Sequence, residues 1–558
     1  MNSNLFLLFF IAAGSFFLPD ACAQPLSKKQ GFTRQDSLRG SIGPERAWWD
    51  VLRYEVAVTP DFDTKSIKGK TTIEYKVLPD QRTDYMQIDL QQPLELDSLF
   101  YDDKLYISYP ARPHYREGNV WHIPLPKAQT GSVHSITMVY HGEPVAARRP
   151  PWDGGWIWQK DEKGRPWMSV ACQGLGASSW FPCKDHQSDE PDNGASLSVT
   201  VPDPMVAVGN GQLRGKTSVN GTSTYTWEVQ NPINSYNIIP YIGYYVNFTE
   251  GFEGEKGRLN CSYWVLDYNL EKARSQFKQA TMTLKAMEHW FGPFPWYEDD
   301  FKLVEAPHLG MEHQSAVAYG NRYLNGYLGA DLSGTGVGKK WDFIIVHEVG
   351  HEWFGNNITT KDIADMWIHE GFTSYSETLF TEYHFGKADA EKYVQGIRKN
   401  ISNDIPVIGP YGVNQEGSGD MYYKGANLLH TIRQIIGDDE KFRQILRGLN
   451  KDFYHQTVSS KQVEAYISRQ SGIDLSKVFD QYLRTSEIPV LELQAGGAYR
   501  WTNCVEGFNM PVRTVDGKWL KPTTEFRKLP DGLMGKDIEP DPNFYIEVRK
   551  GSKTVLKS

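Results

Sequence analysis

The spacing of apolar residues changes once along this chain, near residue 270, and that change sets what the chain can fold into. Before it, the period is two. Leu52, Tyr54, Val56 and Val58 alternate with Arg53, Glu55 and Ala57, and Ile73, Tyr75 and Val77 with Glu74 and Lys76. Tyr225, Trp227 and Val229 repeat the pattern after an Asn220-Gly221 turn signal. Alternation broken by short turns predicts half-buried antiparallel strands. Beyond residue 270 the spacing becomes three and four. Phe277, Ala280, Leu284, Met287 and Phe291 form one such run and stop at Gly292-Pro293. Leu428, Leu429, Ile432, Ile435 and Ile436 form another and stop at Gly437. These are amphipathic helices with stop signals. From residue 490 the helical period is lost, and Trp519, Tyr545 and Val548 stand among turn residues. The expectation is a multi-domain chain: an N-terminal antiparallel β domain over 46–250, a mainly helical α+β domain over 251–489, and a small C-terminal β module over 490–558.

Composition removes several alternatives. Hydrophobic residues make up 40% and aromatics 13% of the 558 residues, enough apolar surface for packed cores and too much for a disordered chain. The net charge of −9 argues against a generally basic nucleic-acid footprint. A mean hydropathy of −0.51 with a single long apolar run excludes a polytopic membrane protein. That run, Leu5 to Leu18, is too short to span a bilayer comfortably and is followed by Ala21-Cys22-Ala23, a small-residue cleavage pattern. Residues 1–23 are therefore expected to be a signal peptide cut near Ala23, although Met1-Asn2-Ser3-Asn4 lacks the usual Lys or Arg. Residues 24–45 are expected to be a polar linker. The product would be exported to a periplasm or the exterior, with no membrane span after processing. Lipid attachment at Cys22 is disfavoured, because Pro19-Asp20-Ala21 makes a poor lipobox. The remaining Cys172, Cys183, Cys261 and Cys504 have no C-x-x-C spacing, and their pairing is left open, as is homo-oligomer formation.

The chemistry concentrates in Trp341 to Gly355, WDFIIVHEVGHEWFG. His347 and His351 are four residues apart, about one helical turn, so both imidazoles can share one metal. Glu348, offset by one residue, can reach a water at that metal without being a ligand. A catalytic zinc site needs a third protein ligand and an open position. The apolar flanks Phe343-Ile344-Ile345-Val346 and Trp353-Phe354 predict a buried helix whose polar cluster needs partners. Glu370, in Met366 to Phe372 (MWIHEGF), offers the third ligand after a loop and a return helix. Glu377, seven residues on, falls on the same helix face, where it can orient a ligand histidine.

HEVGHEWFGN followed by WIHEGFTSYSE resembles the gluzincin aminopeptidases, the family of aminopeptidase N and the leukotriene-epoxide hydrolase. The resemblance covers residues 46–490 well, in the order β domain then thermolysin-like catalytic domain, without the long helical C-terminal domain of larger members. It implies one Zn2+ per chain held by His347, His351 and Glu370, with Glu348 as general base. Gly310-Met311-Glu312 resembles the core of the family's Gly-x-Met-Glu-Asn element, with Leu309 in place of a small residue and His313 in place of Asn. That match implies substrate binding at Gly310 and Met311 and a contact between Glu312 and a substrate's free α-amine. Ala171-Cys172-Gln173 implies Gln173 as a second amine contact, and Asp420-Met421-Tyr422-Tyr423-Lys424-Gly425 implies Tyr422 as oxyanion donor. The implied function is a zinc aminopeptidase acting on peptides with a free N-terminus. An endopeptidase, an epoxide hydrolase or a catalytically inactive binding scaffold are the rival readings.

Overall fold

The structure is a computed structural model that describes residues 31–79, 83–108, 115–494, 497–529 and 538–551. The signal peptide, its cleavage site and Cys22 lie outside the described residues. Among those described, no helix is long and apolar enough to cross a membrane.

Residues 49–243 build the β domain. Its main sheet has eight strands, with Trp49–Asp61 paired to Ser66–Val77 on one side and to Ala195–Pro202 on the other. The second of those pairings is parallel, which corrects the expectation of a wholly antiparallel domain. Alternation looks the same in either direction, and the long excursion between the two strands supplies the crossover that parallel pairing requires. Within Trp49–Asp61 a bulge falls between Val51 and Arg53. It shifts the alternation by one residue, so Val51 is fully buried while Leu52 is only half-buried. Trp156, Trp180, Phe181 and Trp227 join the strand residues Tyr54, Val56 and Ile73 in one core.

The stretch expected to be a linker carries a helix, Arg34–Gly40. It has seven residues, too few for periodicity to reveal, but Thr33 and Asp36 close a capping box at its start. Its carboxyl end leads to Arg46, whose guanidinium is fully buried against Asp89 and donates to the carbonyls of Arg39 and Ser41.

A second sheet of five strands opens the catalytic unit. Its first strand, Tyr245–Gly254, starts ahead of residue 250, so the change of unit falls slightly earlier than the change of period suggests. Gly310–Met311 is the edge strand. Helices then dominate, including Lys278–Phe291, Phe343–Gly350, Trp367–Phe385 and Tyr423–Ile436. Beyond residue 489, Val490–Leu493, Ala498–Thr502, Arg527–Lys528 and Glu547–Lys550 form a four-stranded sheet. These strands enclose no separate core among the described residues: Leu491, Leu493, Trp501, Phe508 and Phe544 pack into the core of the helices.

Two glycines set how closely the helices Trp367–Phe385 and Tyr423–Ile436 approach. A Cβ placed on Gly425 would lie 2.8 Å from the Cα of Gly371, inside ordinary contact distance. Gly425→Ala should therefore overpack this crossing and destabilise the fold by about 1–3 kcal/mol. Gly215→Ala, with nothing within 4 Å of its Cβ, should stay within about 0.5 kcal/mol of the parent. Urea unfolding of both variants checks this; equal midpoints would show that the glycine crossing is not a constraint.

Candidate metal centre and active site

The helix Phe343–Gly350 begins at Asp342, whose carboxylate accepts from the Ile344 and Ile345 backbone N–H groups at 3.1 and 3.4 Å. Asp342 is itself held by Gln276, Tyr319 and Asn321, so the helix start is anchored from three directions. His347 and His351 emerge on its last turn. The helix Trp367–Phe385 returns alongside and places Glu370 against both.

Three atoms converge. His347 Nε2 and His351 Nε2 are 3.3 Å apart, and Glu370 Oε2 lies 3.6 and 3.3 Å from them. Ligand atoms about 2.0–2.1 Å from a tetrahedral zinc stand about 3.4 Å from one another, so this triangle is one face of such a site. The hydrogen bonds fix its polarity. The Nδ1 of His347 lies 2.8 Å from Glu377 Oε1, and the Nδ1 of His351 lies 2.9 Å from the Phe354 carbonyl. Each Nδ1 is thus a donor, and each Nε2 is left with a lone pair directed inward. Glu370 Oε2 is buried and has no hydrogen-bond donor. Two imidazole lone pairs and a carboxylate oxygen in mutual contact repel unless a cation sits among them, and neutral imidazole with carboxylate suits zinc. The residues present therefore fit the ion.

The electrostatics agree. Burial disfavours charge on His347, yet Glu370 and Glu377 outweigh it and hold that imidazole's pKa well above its ordinary value. Burial likewise opposes charge on His351, and Glu370 again overcomes it. Glu370 is driven the other way: burial would raise its pKa, but the two imidazoles pull it well below the usual carboxylate range. The cluster demands positive charge. Glu348 stands beside the triangle without joining it. Burial, reinforced by Glu312 and Glu370 and opposed by the two imidazoles, pushes its pKa up to about 7, a value suited to accepting and returning a proton near neutrality.

The edge strand Gly310–Met311 runs past this cluster. A Cβ on Gly310 would come 2.7 Å from Glu348 Oε1 and 2.8 Å from Ile344 Cγ2, so only glycine lets the strand lie this close. Glu312 follows, buried, accepting from Gln173 Nε2 at 2.5 Å and from the Tyr236 hydroxyl at 2.9 Å. One oxygen each from Glu312 and Glu348 and one nitrogen of His351 lie within 4.8 Å of one another. The Tyr422 ring is 6.1 Å from His347, at the step where the Tyr423–Ile436 helix begins. Burial, with Glu370, Glu416 and Glu312 adding to it, raises the Tyr422 phenol well above its ordinary pKa, so it remains a donor. His313, which stands where the family element has Asn, is fully buried with its Nδ1 2.5 Å from the Tyr241 hydroxyl.

The candidate ligands, base, substrate contacts and oxyanion donor taken from the sequence thus line one cleft: Gln173, Gly310, Met311, Glu312, His347, Glu348, His351, Glu370 and Tyr422, while Glu377 stands behind His347. Three contributors were not legible. Tyr236 lies in Asn234-Ser235-Tyr236-Asn237, which matches no motif. Glu416 and Trp152 also line the cleft, from loops with no local signature. No Lys or Arg stands among the described lining residues.

Residues 51–237 match the peptidase M1 N-terminal domain, and residues 275–482 match the peptidase family M1 domain. The chain belongs to peptidase family M1. Aminopeptidase 2 of Candida albicans is 21% identical over 464 residues, covering 80% of this chain and 48% of that protein. Leukotriene A-4 hydrolase of Xenopus laevis is 24% identical over 332 residues, covering 56% and 51%. The chain spans about half the length of these curated relatives. The crystal structure of an M1 zinc metallopeptidase from Deinococcus radiodurans superposes on 79% of this chain and 95% of its own with a TM-score of 0.66, at 20% identity, which speaks to the shared fold. The helix Arg34–Gly40 and the sheet beyond residue 489 lie outside both family matches.

The ligand assignment separates three variants of this M1 chain. Glu348→Gln should keep its zinc and lose activity by about 10²–10⁴. Glu370→Ala should lose the metal outright. Glu377→Ala should weaken zinc binding by about 10–100-fold, through release of the His347 ring. Metal content after dialysis against a graded chelator measures all three; an emptied site in Glu348→Gln and a full one in Glu370→Ala would reverse the assignment.

Proposed function

We propose that this M1 chain is a zinc-dependent aminopeptidase, with one zinc ion per chain, that removes N-terminal residues from peptides bearing a free α-amine. The observation that carries this reading is the placement of Glu312. Its carboxylate is buried, faces a cleft with no lysine or arginine among its described lining residues, and stands close to His351 and Glu348. In a peptide the α-nitrogen is only about 2.5 Å from its own carbonyl carbon. An ammonium held at Glu312 therefore brings the first peptide bond, and no other, to the His347–His351–Glu370 triangle.

The roles of the side chains follow from their surroundings. Glu312, aided by Gln173, pairs with the ammonium and fixes the substrate's register. The backbone of Gly310 and Met311, at the open edge of its sheet, offers hydrogen bonds to an extended peptide. When bound, zinc supplies Lewis acidity toward the scissile carbonyl and lowers the pKa of water. Glu348 takes the proton of the attacking water and returns it to the leaving amine. Tyr422 donates to the carbonyl oxygen as negative charge develops there. An endopeptidase would set a neutral amide against buried Glu312, an unmatched charge. An inactive scaffold has no reason to keep a full ligand set with its Glu377 support. Export after cleavage near Ala23 is part of the proposal and rests on the apolar run Leu5 to Leu18.

N-acetylated peptides should be cleaved at least about 10²-fold more slowly than their free-amine counterparts, because Glu312 would be left desolvated and unpaired. Equal rates for blocked and free peptides would replace the aminopeptidase reading with an endopeptidase one. Tyr422→Phe should cost about 10²–10³ in kcat with little change in KM, since the bond strengthens only as charge develops. Tyr423→Phe should be far milder, and steady-state kinetics on one free-amine peptide will rank the two.

A further inference from the structure

The amine contact Gln173 follows the strand Pro166–Ala171 by two residues and depends on a segment outside both family matches. Arg39, on the last turn of the helix Arg34–Gly40, donates from Nη1 to the Gly174 carbonyl at 2.5 Å and from Nη2 to the Gln173 carbonyl at 3.4 Å. Its Nε lies 3.3 Å from Asp185 Oδ2. Asp185 in turn accepts from the Ser178 hydroxyl at 2.5 Å, so the guanidinium is clamped to both ends of the 173–178 loop. The far side of the same turn bonds Gln173 Nε2 to Glu312.

Arg39 is itself fixed. Its carbonyl accepts from Arg46 Nη1 at 2.8 Å, and Arg46 is locked against Asp89. The helix start is closed by Thr33 and Asp36, and the Asp36 carbonyl accepts from the Asn414 backbone N–H at 3.0 Å. Asn414 lies two residues before Glu416 in a loop of the catalytic unit. The helix therefore bridges the two units at the rim of the cleft. Behind Gln173 is a second, small hollow, lined by Arg39, Asp185, Tyr236 and Asn414 among others, and Gln173 borders both spaces.

We infer that Arg39 is a positioning residue for recognition of the substrate's α-amine, acting through Gln173. This inference rests on the aminopeptidase reading. Two backbone carbonyls of the Gln173–Gly174 turn are held by one planar, always-charged fork, a geometry that lysine reproduces only in part. Without it the turn loses its tie to Asp185. The Gln173 amide then leaves Glu312, and the partition between the cleft and the hollow behind it opens.

A double-mutant cycle tests the coupling. Arg39→Ala should raise KM for a free-amine peptide by about tenfold, with kcat within about threefold and zinc content unchanged, because only ground-state and transition-state amine binding is weakened together. Its preference for free over acetylated peptide should fall in the same proportion. In a Gln173→Ala background, adding Arg39→Ala should change KM by less than about twofold, since the route is already cut. Arg39→Lys, which keeps the charge, should sit between parent and Arg39→Ala, and it carries the cycle if Arg39→Ala does not fold. Additive effects of Arg39→Ala and Gln173→Ala, or a loss confined to kcat or zinc content, would overturn the inference. Equal cleavage of acetylated and free peptides by the parent would instead sink the aminopeptidase reading itself.

Discussion

The structure depends on one electrostatic condition: a buried cleft holding several carboxylates and, among the described residues that line it, no lysine or arginine. Glu312, Glu348, Glu370 and Glu377 are each less than a tenth exposed, and Glu416 lines the same space. Unpaired buried charge costs several kcal/mol per ion, so such a cluster persists only if positive charge arrives from elsewhere. Two sources fit the geometry. A divalent ion at the His347–His351–Glu370 triangle answers one part of the field, and a substrate ammonium at Glu312 answers another. On the proposed reading, metal and substrate are the two halves of a single charge balance, with the amine anchor close to the candidate ligands.

The scaffold meets this condition by joining two cores at the edge strand Gly310–Met311. Met311, with Val304 and Ala318 of the neighbouring strands, packs into the core of the β domain. Ile344, Val346 and Phe372, on the helices that carry the ligands, pack into the other core. The edge strand is thus pressed between a β layer and a helical layer, and Gly310 supplies the clearance that lets Glu348 lie against it. Helix and strand positions are fixed by dense packing, whereas Gln173, Tyr236 and Glu416 come from loops and short turns. The candidate metal centre thus sits on rigid elements, and part of the cleft wall around it sits on connections.

That division also explains what the sequence revealed. The His347–Glu348–His351 cluster was legible because two histidines able to share a metal keep a fixed spacing on a helix, and because apolar flanks such as Ile344-Ile345-Val346 announce burial. The helices Lys278–Phe291 and Tyr423–Ile436 were legible through stop signals at Gly292-Pro293 and Gly437, where the structure ends them. Strand direction was not, because alternation is indifferent to it, and the bulge at Val51–Arg53 moved the buried face by one residue. The helix Arg34–Gly40 was too short to show a period. Tyr236 and Arg39 carry no pattern at all: each matters only through a partner more than seventy residues away, Glu312 in one case and the Gln173 turn in the other.

The line between an exopeptidase and an endopeptidase at such a centre is a matter of what stands behind the amine. A carboxylate alone attracts an ammonium but does not forbid a chain from continuing past it. Here the space behind Glu312 is closed on one side by Tyr236 and by Asn356, whose Nδ2 donates to the Glu312 carbonyl at 2.8 Å. On the other side the closure is the Gln173 side chain, which also borders a second, smaller hollow. On the proposed aminopeptidase reading, selectivity for a free terminus has two components, charge at Glu312 and a wall at Gln173, and they fail differently. Removing the charge weakens every substrate with a free amine. Displacing the wall leaves the charge in place, so an internal amide would still meet an unmatched carboxylate at Glu312, and only the orientation of that carboxylate toward an ammonium would loosen.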